Sequence, residues 1–118
     1  MTVRRMKSYT GQTGYVYQYY FVGKRPALAS ESAATEYVFD VTADRQSFFA
    51  VSVLLWNDAL LVWAGQHGRE LTEAEQYAAA KLCLFAGFDE IENMIGSGRT
   101  LIVSPENIES VLEPLDLG

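Results

Sequence analysis

Cysteine and histidine are nearly missing from this chain of 118 residues, which contains one of each, Cys83 and His67. A lone cysteine cannot close an internal disulfide, and the pair is too small for a zinc site built from Cys and His. Any Ser-His-Asp or Cys-His catalytic arrangement would have to pass through His67. Long apolar runs are missing as well. The greasiest stretch, Val51 to Ala64, is interrupted by Asn57 and Asp58 and falls far short of the roughly 20 apolar residues that span a bilayer. The basic start Met-Thr-Val-Arg-Arg-Met-Lys leads into polar Ser8 to Gln12, so no secretory leader is read and the protein is expected in the cytoplasm. Acid is absent from the first 25 residues, which hold Arg4, Arg5, Lys7, Lys24 and Arg25. All 15 carboxylates of a chain with net charge -6 therefore lie in the remainder, where only four cations accompany them. Such a divided charge is more informative than its sum.

What is present is the composition of a folded protein, 49% hydrophobic and 13% aromatic. A single domain over residues 1–118 is expected, with a basic arm over about 1–14. A domain of this size buries about two-thirds of its unfolded surface and needs no metal or disulfide to fold.

Along the chain, Tyr15 to Val22 is dense in aromatic and β-branched residues and reads as a first strand that Gly23-Lys-Arg-Pro26 breaks. Ala27 to Thr35 is a small-residue stretch read as a connection. From Glu36 to Thr42, Tyr37, Phe39 and Val41 alternate with polar residues; after the turn Ala43-Asp-Arg45, Phe49, Val51, Val53 and Leu55 alternate with Phe48, Ala50, Ser52 and Leu54. That period of two predicts a hairpin. Asn57 or Asp58 can cap a short helix that stops at Gly68. Thr72-Glu-Ala-Glu75 matches a capping box, in which hydroxyl and carboxylate each satisfy an early backbone N–H, and opens a longer helix. Its apolar stripe is read as Tyr77, Ala78, Leu82, Leu84 and Phe85, extending to Phe88 and Ile91. Gly96-Ser-Gly98 reads as a turn, Arg99 to Ser104 as a fourth strand, and Ser104-Pro-Glu as the start of a last helix ending at Pro114. The expected fold is α+β: an antiparallel sheet of about four strands, in the order β-β-β-α-α-β-α, with helices mainly on one face.

Catalytic and cofactor signatures are not found. His67 reads as a loop or helix-end histidine, Cys83 as a small buried hydrophobe, and Asp89, Glu90 and Glu92 as a solvated helix face rather than a metal site. No cofactor and no metal are expected, and an enzyme is the less favoured class. Lys81 is the anomaly, because it falls near the centre of the stripe formed by Tyr77, Leu84, Phe85 and Phe88. It either snorkels to water or lines a ligand pocket between the sheet and the long helix with Tyr77 and His67. Arg4, Arg5, Lys7, Lys24 and Arg25 beside a tyrosine-rich strand suit nucleic acid, but the acidic remainder of the chain opposes a polyanion. The arm is instead expected to lie against acidic helices, its own or a second subunit's. Self-association follows from alternation: if helices cover one sheet face, the other keeps Val16 or Tyr17 and Tyr20 or Tyr19, depending on register, with Val38, Phe48, Ala50 and Leu54, an apolar set suited to an interface, for which Val16 and Tyr20 are taken. The leading expectation is a non-enzymatic interaction module that forms a homodimer or binds another protein.

Overall fold

The computed structural model describes residues 6–10, 16–29, 32–91 and 99–115. They form an α+β fold around one five-stranded sheet in the spatial order β1-β2-β3-β4-β5. The strands are β1 (Lys7–Thr10), β2 (Val16–Ala29), β3 (Ser32–Thr42), β4 (Phe49–Trp56) and β5 (Thr100–Val103); the helices are α1 (Asn57–His67), α2 (Glu73–Glu90) and α3 (Ile108–Leu112), followed by a short 3-10 turn, Glu113–Leu115.

The hairpin expected at Glu36–Leu55 is β3–β4, with Tyr37 opposite Val53, Phe39 opposite Val51 and Val41 opposite Phe49. The turn is pinned by short polar side chains. Thr42 Oγ1 accepts from the Arg45 amide at 3.0 Å, Asp44 Oδ1 accepts from Gln46 and Ser47 at 2.8 and 2.9 Å, and Arg45 takes the left-handed φ of 66°. Such side-chain turns favour Asp and Thr over a regular ladder.

Three expectations about the sheet are corrected. It has five strands rather than about four, because Lys7–Thr10, read as part of a basic arm, pairs antiparallel with β2. It is mixed rather than antiparallel, because β5 runs parallel to β4, Ser52 opposite Thr100 through Leu55 opposite Val103. A parallel neighbour requires a crossover, which here contains α1 and α2. Finally, Gly23–Pro26 does not end β2, which runs on to Ala29, while Ala33–Thr35, read as connection, belongs to β3. Pro26 is tolerated because β1 pairs only with Val16–Tyr19; beyond that point β2 is an edge strand, and no ladder bond is lost there. Gly23 follows a bulge, since Phe21 faces Phe39 but Gly23 faces Val38, leaving Val22 as the extra residue. The bulge inverts the phase of β2: Tyr19 and Phe21 point to the core before it, and Lys24 takes that side after it.

The helices lie on one face, as expected. Tyr17, Tyr19, Tyr37, Phe39, Val41, Val51, Val53, Leu55 and Val103 form a buried layer with Trp63, Leu84, Phe88 and Ile108. Helix α1 lacks the side-chain cap expected from Asn57 or Asp58; its N-cap is Trp56, and it stops at Gly68 with φ 73° and a Gly68 amide bond to the Ala64 carbonyl at 2.9 Å. Helix α2 starts with the full capping box, and Gly87 does not end it. Its buried stripe is Ala79, Ala80, Cys83, Leu84, Gly87 and Phe88, rotated from the stripe read in the sequence. Tyr77, Ala78, Leu82 and Phe85 are half-buried on its flanks. The last helix begins later than Ser104: Pro105–Asn107 is turn, and Asn107 Oδ1 accepts from the Ser104 amide at 2.8 Å while its Nδ2 donates to the Ile102 carbonyl at 2.8 Å. The expected Gly96–Gly98 turn lies outside the described residues.

Candidate functional surface

The sheet face away from the helices gathers all six residues that alternation assigned to it. Val16 and Tyr20 on β2, Val38 on β3, Ala50 and Leu54 on β4, and Phe48 just before β4 share this face, since each alternates with a neighbour buried under the helices. Tyr20 and Phe48 meet at 6.0 Å between ring centroids. Val22 and Ile102 join them, and Val16, Val22, Phe48 and Ile102 keep 45%, 40%, 46% and 42% of their surface exposed. A shallow cleft of about 270 Å³ opens among Val22, Gly23, Lys24, Arg25 and Val38.

Five polar side chains on this face are joined by hydrogen bonds. Arg25 Nε donates to Glu36 Oε1 at 2.6 Å, and the Ser52 hydroxyl donates to Glu36 Oε2 at 2.6 Å. The guanidinium, and then the hydroxyl, hold the Glu36 carboxyl below the usual carboxylate range. The Tyr20 hydroxyl donates to Asp40 Oδ2 at 2.8 Å. Sequence reading placed Arg25 in a basic cluster and missed this network and Val22. The signal existed only in part: Glu36 and Ser52 alternate with core residues, but Arg25 reaches their side because of the bulge at Val22.

The residues proposed for a pocket do not form one together. Tyr77 fills the space between α2 and the sheet, 5.0 Å from Phe21 and 6.3 Å from Tyr37 and Phe39 between centroids. Lys81 sits at the margin of this layer, its ammonium 5.7 Å from the Tyr77 ring and 5.9 Å from the Phe85 ring. Burial, then the neighbouring Lys7, push the Lys81 amine below its ordinary range. His67 has other partners. It ends α1, stacks on Trp63 at 4.1 Å and shares a 2.7 Å hydrogen bond between Nε2 and Glu109 Oε1. Cys83 is buried against β5, and burial, then Glu90, push its thiol up to about 11, which leaves almost no thiolate nucleophile at neutral pH.

The basic cluster is dispersed. Arg4 and Arg5 lie outside the described residues; Lys7 is on β1, and Lys24 and Arg25 are on the far half of β2, with Lys24 5.9 Å above the Tyr37 ring. Of the aromatic residues offered for base stacking, Tyr17 and Tyr19 are buried beneath α2, Tyr17 stacked on Phe88 at 4.3 Å. Of the arm's cations only Lys7 lies among the described residues, and it has no carboxylate within ion-pair distance there. Tyr9 makes the acidic contact instead, donating to Asp89 Oδ2 at 2.7 Å and stacking on Phe85 at 4.5 Å. Among the described residues no three His, Cys, Asp or Glu side chains converge as a metal site, and no helix is long and apolar enough to cross a membrane. Glu92 of the acidic helix face lies outside them.

Compared with known proteins, the chain matches no family model, no curated protein and no solved structure.

Proposed function

We propose that this protein is a small non-enzymatic interaction module, working in the cytoplasm, that pairs with a second copy of itself through the helix-free face of its sheet. The observation that carries the reading is the joint exposure of Val16, Val22, Phe48 and Ile102 around half-buried Tyr20, Val38 and Leu54 on one continuous face. Contiguous apolar surface of this kind marks association sites. Its size is adequate: five strands at about 4.8 Å spacing and about 25 Å of strand length give roughly 600 Å² in projection, near the scale of roughly 800 Å² per partner in a standard interface once side-chain relief is included.

Charge favours an identical partner. The whole chain carries net charge -6, which repels a second copy in most orientations. On this face, however, Arg25 is balanced by Glu36, and Asp40 is held by Tyr20. Two such faces related by a twofold axis meet with Arg25, Glu36, Ser52, Tyr20 and Asp40 already bonded within each copy. The candidate nucleophiles and bases lie in separate surroundings, His67 on Trp63, Cys83 under β5 and Lys81 at the edge of α2, which favours binding over catalysis.

Light scattering coupled to size exclusion tests the reading. A dimer at tens of micromolar is expected, and Val38→Lys, a charge placed mid-face, should return it to monomer while leaving the far-ultraviolet circular dichroism intact. A strict monomer at that concentration, or a dimer indifferent to both Val38→Lys and Leu54→Lys, removes the proposal.

A further inference from the structure

Of the chain's three lysines, Lys7, Lys24 and Lys81, Lys7 and Lys81 lie at the seam where β1 meets α2, while Lys24 stands farther along β2 over Tyr37. Lys7 lies opposite Tyr19 on β1 and so shares the helix-facing side with Tyr9. On α2, Lys81, Phe85 and Asp89 recur every four residues along one side of the helix. Tyr9 meets Phe85 and Asp89; Lys7, two residues before Tyr9 on the same face and opposite Tyr19, whose ring is 5.5 Å from that of Phe85, is thereby placed one turn back on α2, on the side of Lys81. Lys24 stands over Tyr37, whose ring is 6.3 Å from that of Tyr77. Lysine and aromatic residues thus alternate along the seam.

The side chains of three of the four described arginines have acceptors, Arg45 in the β3–β4 turn being the exception. Arg25 and Arg69 have carboxylate partners, and Arg99 donates to the Ala50 carbonyl at 3.1 Å. Among the described residues no lysine has a carboxylate within ion-pair distance. The acids near the seam are at its ends: Asp89 is bonded to Tyr9, and Glu73 is felt at Tyr37. Two adjacent ammonium groups without an acid repel each other, and in a partly apolar setting water screens that repulsion poorly.

We infer that the seam between β1 and α2 is a binding site for a small di- or polyphosphate group, held by Lys7 and Lys81 against the rings of Tyr77 and Phe85, with Lys24 as an outer contact. A multivalent anion answers what the site lacks, since it bridges both ammonium groups and accepts several hydrogen bonds at once. The terminal acids confine it to a compact ligand, because an extended polyanion following the seam would meet Glu73 or Asp89. The site lies on the helix side of the sheet, so it does not depend on the self-association proposed above.

Having three lysines makes the test direct. The protein is reductively methylated with carbon-13, which preserves each charge and gives one resonance per lysine, and is titrated with pyrophosphate, orthophosphate and, at matched ionic strength, potassium chloride. The Lys7 and Lys81 resonances should move together on one saturating curve with pyrophosphate and follow more weakly with orthophosphate. Lys81→Met and Lys7→Met should each lower the pyrophosphate affinity by about tenfold or more, the loss of one close charge-assisted contact, while Lys81→Arg retains it. Circular dichroism confirms that the variants fold; Lys7→Met, at an exposed position, preserves the test should Lys81→Met fail to fold. Shifts that never saturate, that match those in potassium chloride, or that persist at full affinity in both methionine variants overturn the inference.

Discussion

Glu75 makes the start of α2 sensitive to acid. Arg69 grips both its oxygens at 2.9 Å, the Thr72 amide donates to Oε1 at 2.9 Å, and Thr72 Oγ1 accepts from the Glu75 amide at 3.1 Å. The guanidinium first, then the Thr72 amide, bring the carboxyl from an ordinary value of 4.5 down to about 2. Because the folded value is depressed, this stabilisation is fully present above pH 4.5 and is lost as the pH falls towards 2. Glu75→Gln should therefore flatten the acid limb of stability in that window, read from urea midpoints at successive pH values. Thr72→Ala, which removes the hydroxyl half of the box, should cost about 1 kcal/mol. Cys83 makes the opposite case. Its burial and raised thiol value predict that a disulfide reagent at pH 8 labels the native protein orders of magnitude more slowly than the urea-unfolded chain; equal rates would contradict the burial seen against β5.

At the scale of elements, α2 shows why a stripe of large residues can mislead. Tyr77, Leu82 and Phe85 draw the eye in the sequence, yet the buried face of the helix runs through Ala79, Ala80, Cys83 and Gly87, with Leu84 and Phe88 beside them. Small residues let the helix backbone come close, and the large rings then close the two flanks. Lys81 accordingly sits at a margin rather than in the centre of the buried face. Two substitutions check this orientation by urea unfolding: Ala80→Leu should destabilise by roughly 1–3 kcal/mol through overpacking, and Leu84→Ala by roughly 2–5 kcal/mol through the cavity it leaves. On β2, the bulge decides which cation meets Glu36. Because Val22 is the extra residue, deleting it should remove the bulge and leave Arg25 opposite Glu36, so the Glu36 carboxyl stays below its ordinary range in an NMR titration, whereas Arg25→Met lets it rise.

For the whole molecule, the division of charge takes a different form from that expected. Part of the basic beginning is β1, attached through backbone pairing to β2 and through Tyr9 on Phe85 and Asp89, and its Lys7 faces another lysine. Attachment of this kind depends little on salt. Tryptic cleavage at Lys7 should proceed at similar rates in low and high salt and accelerate in Tyr9→Ala; strong acceleration by salt alone would restore electrostatic docking. The near balance of charge on the helix-free face likewise predicts that self-association weakens little with salt in the light-scattering experiment.

The sequence by itself determined the hairpin β3–β4 and its two faces, the turn at Asp44, the capping box at Thr72 and the stop at Gly68, but not which face of β2 joins which face of that hairpin. These are local matters of side-chain period, turn chemistry and caps, each contained within a few consecutive residues. Only the tertiary structure decided the direction of β5, the pairing of Lys7–Thr10 with β2, the continuation of β2 through Gly23–Pro26 and the meeting of Lys7 with Lys81. Strand direction and edge pairing depend on where a crossover returns and which neighbour is free, and a proline is acceptable or not according to whether another strand lies beside it. Contacts between residues more than seventy positions apart, such as Tyr9 with Asp89, arise from packing, and no periodicity along the chain encodes them.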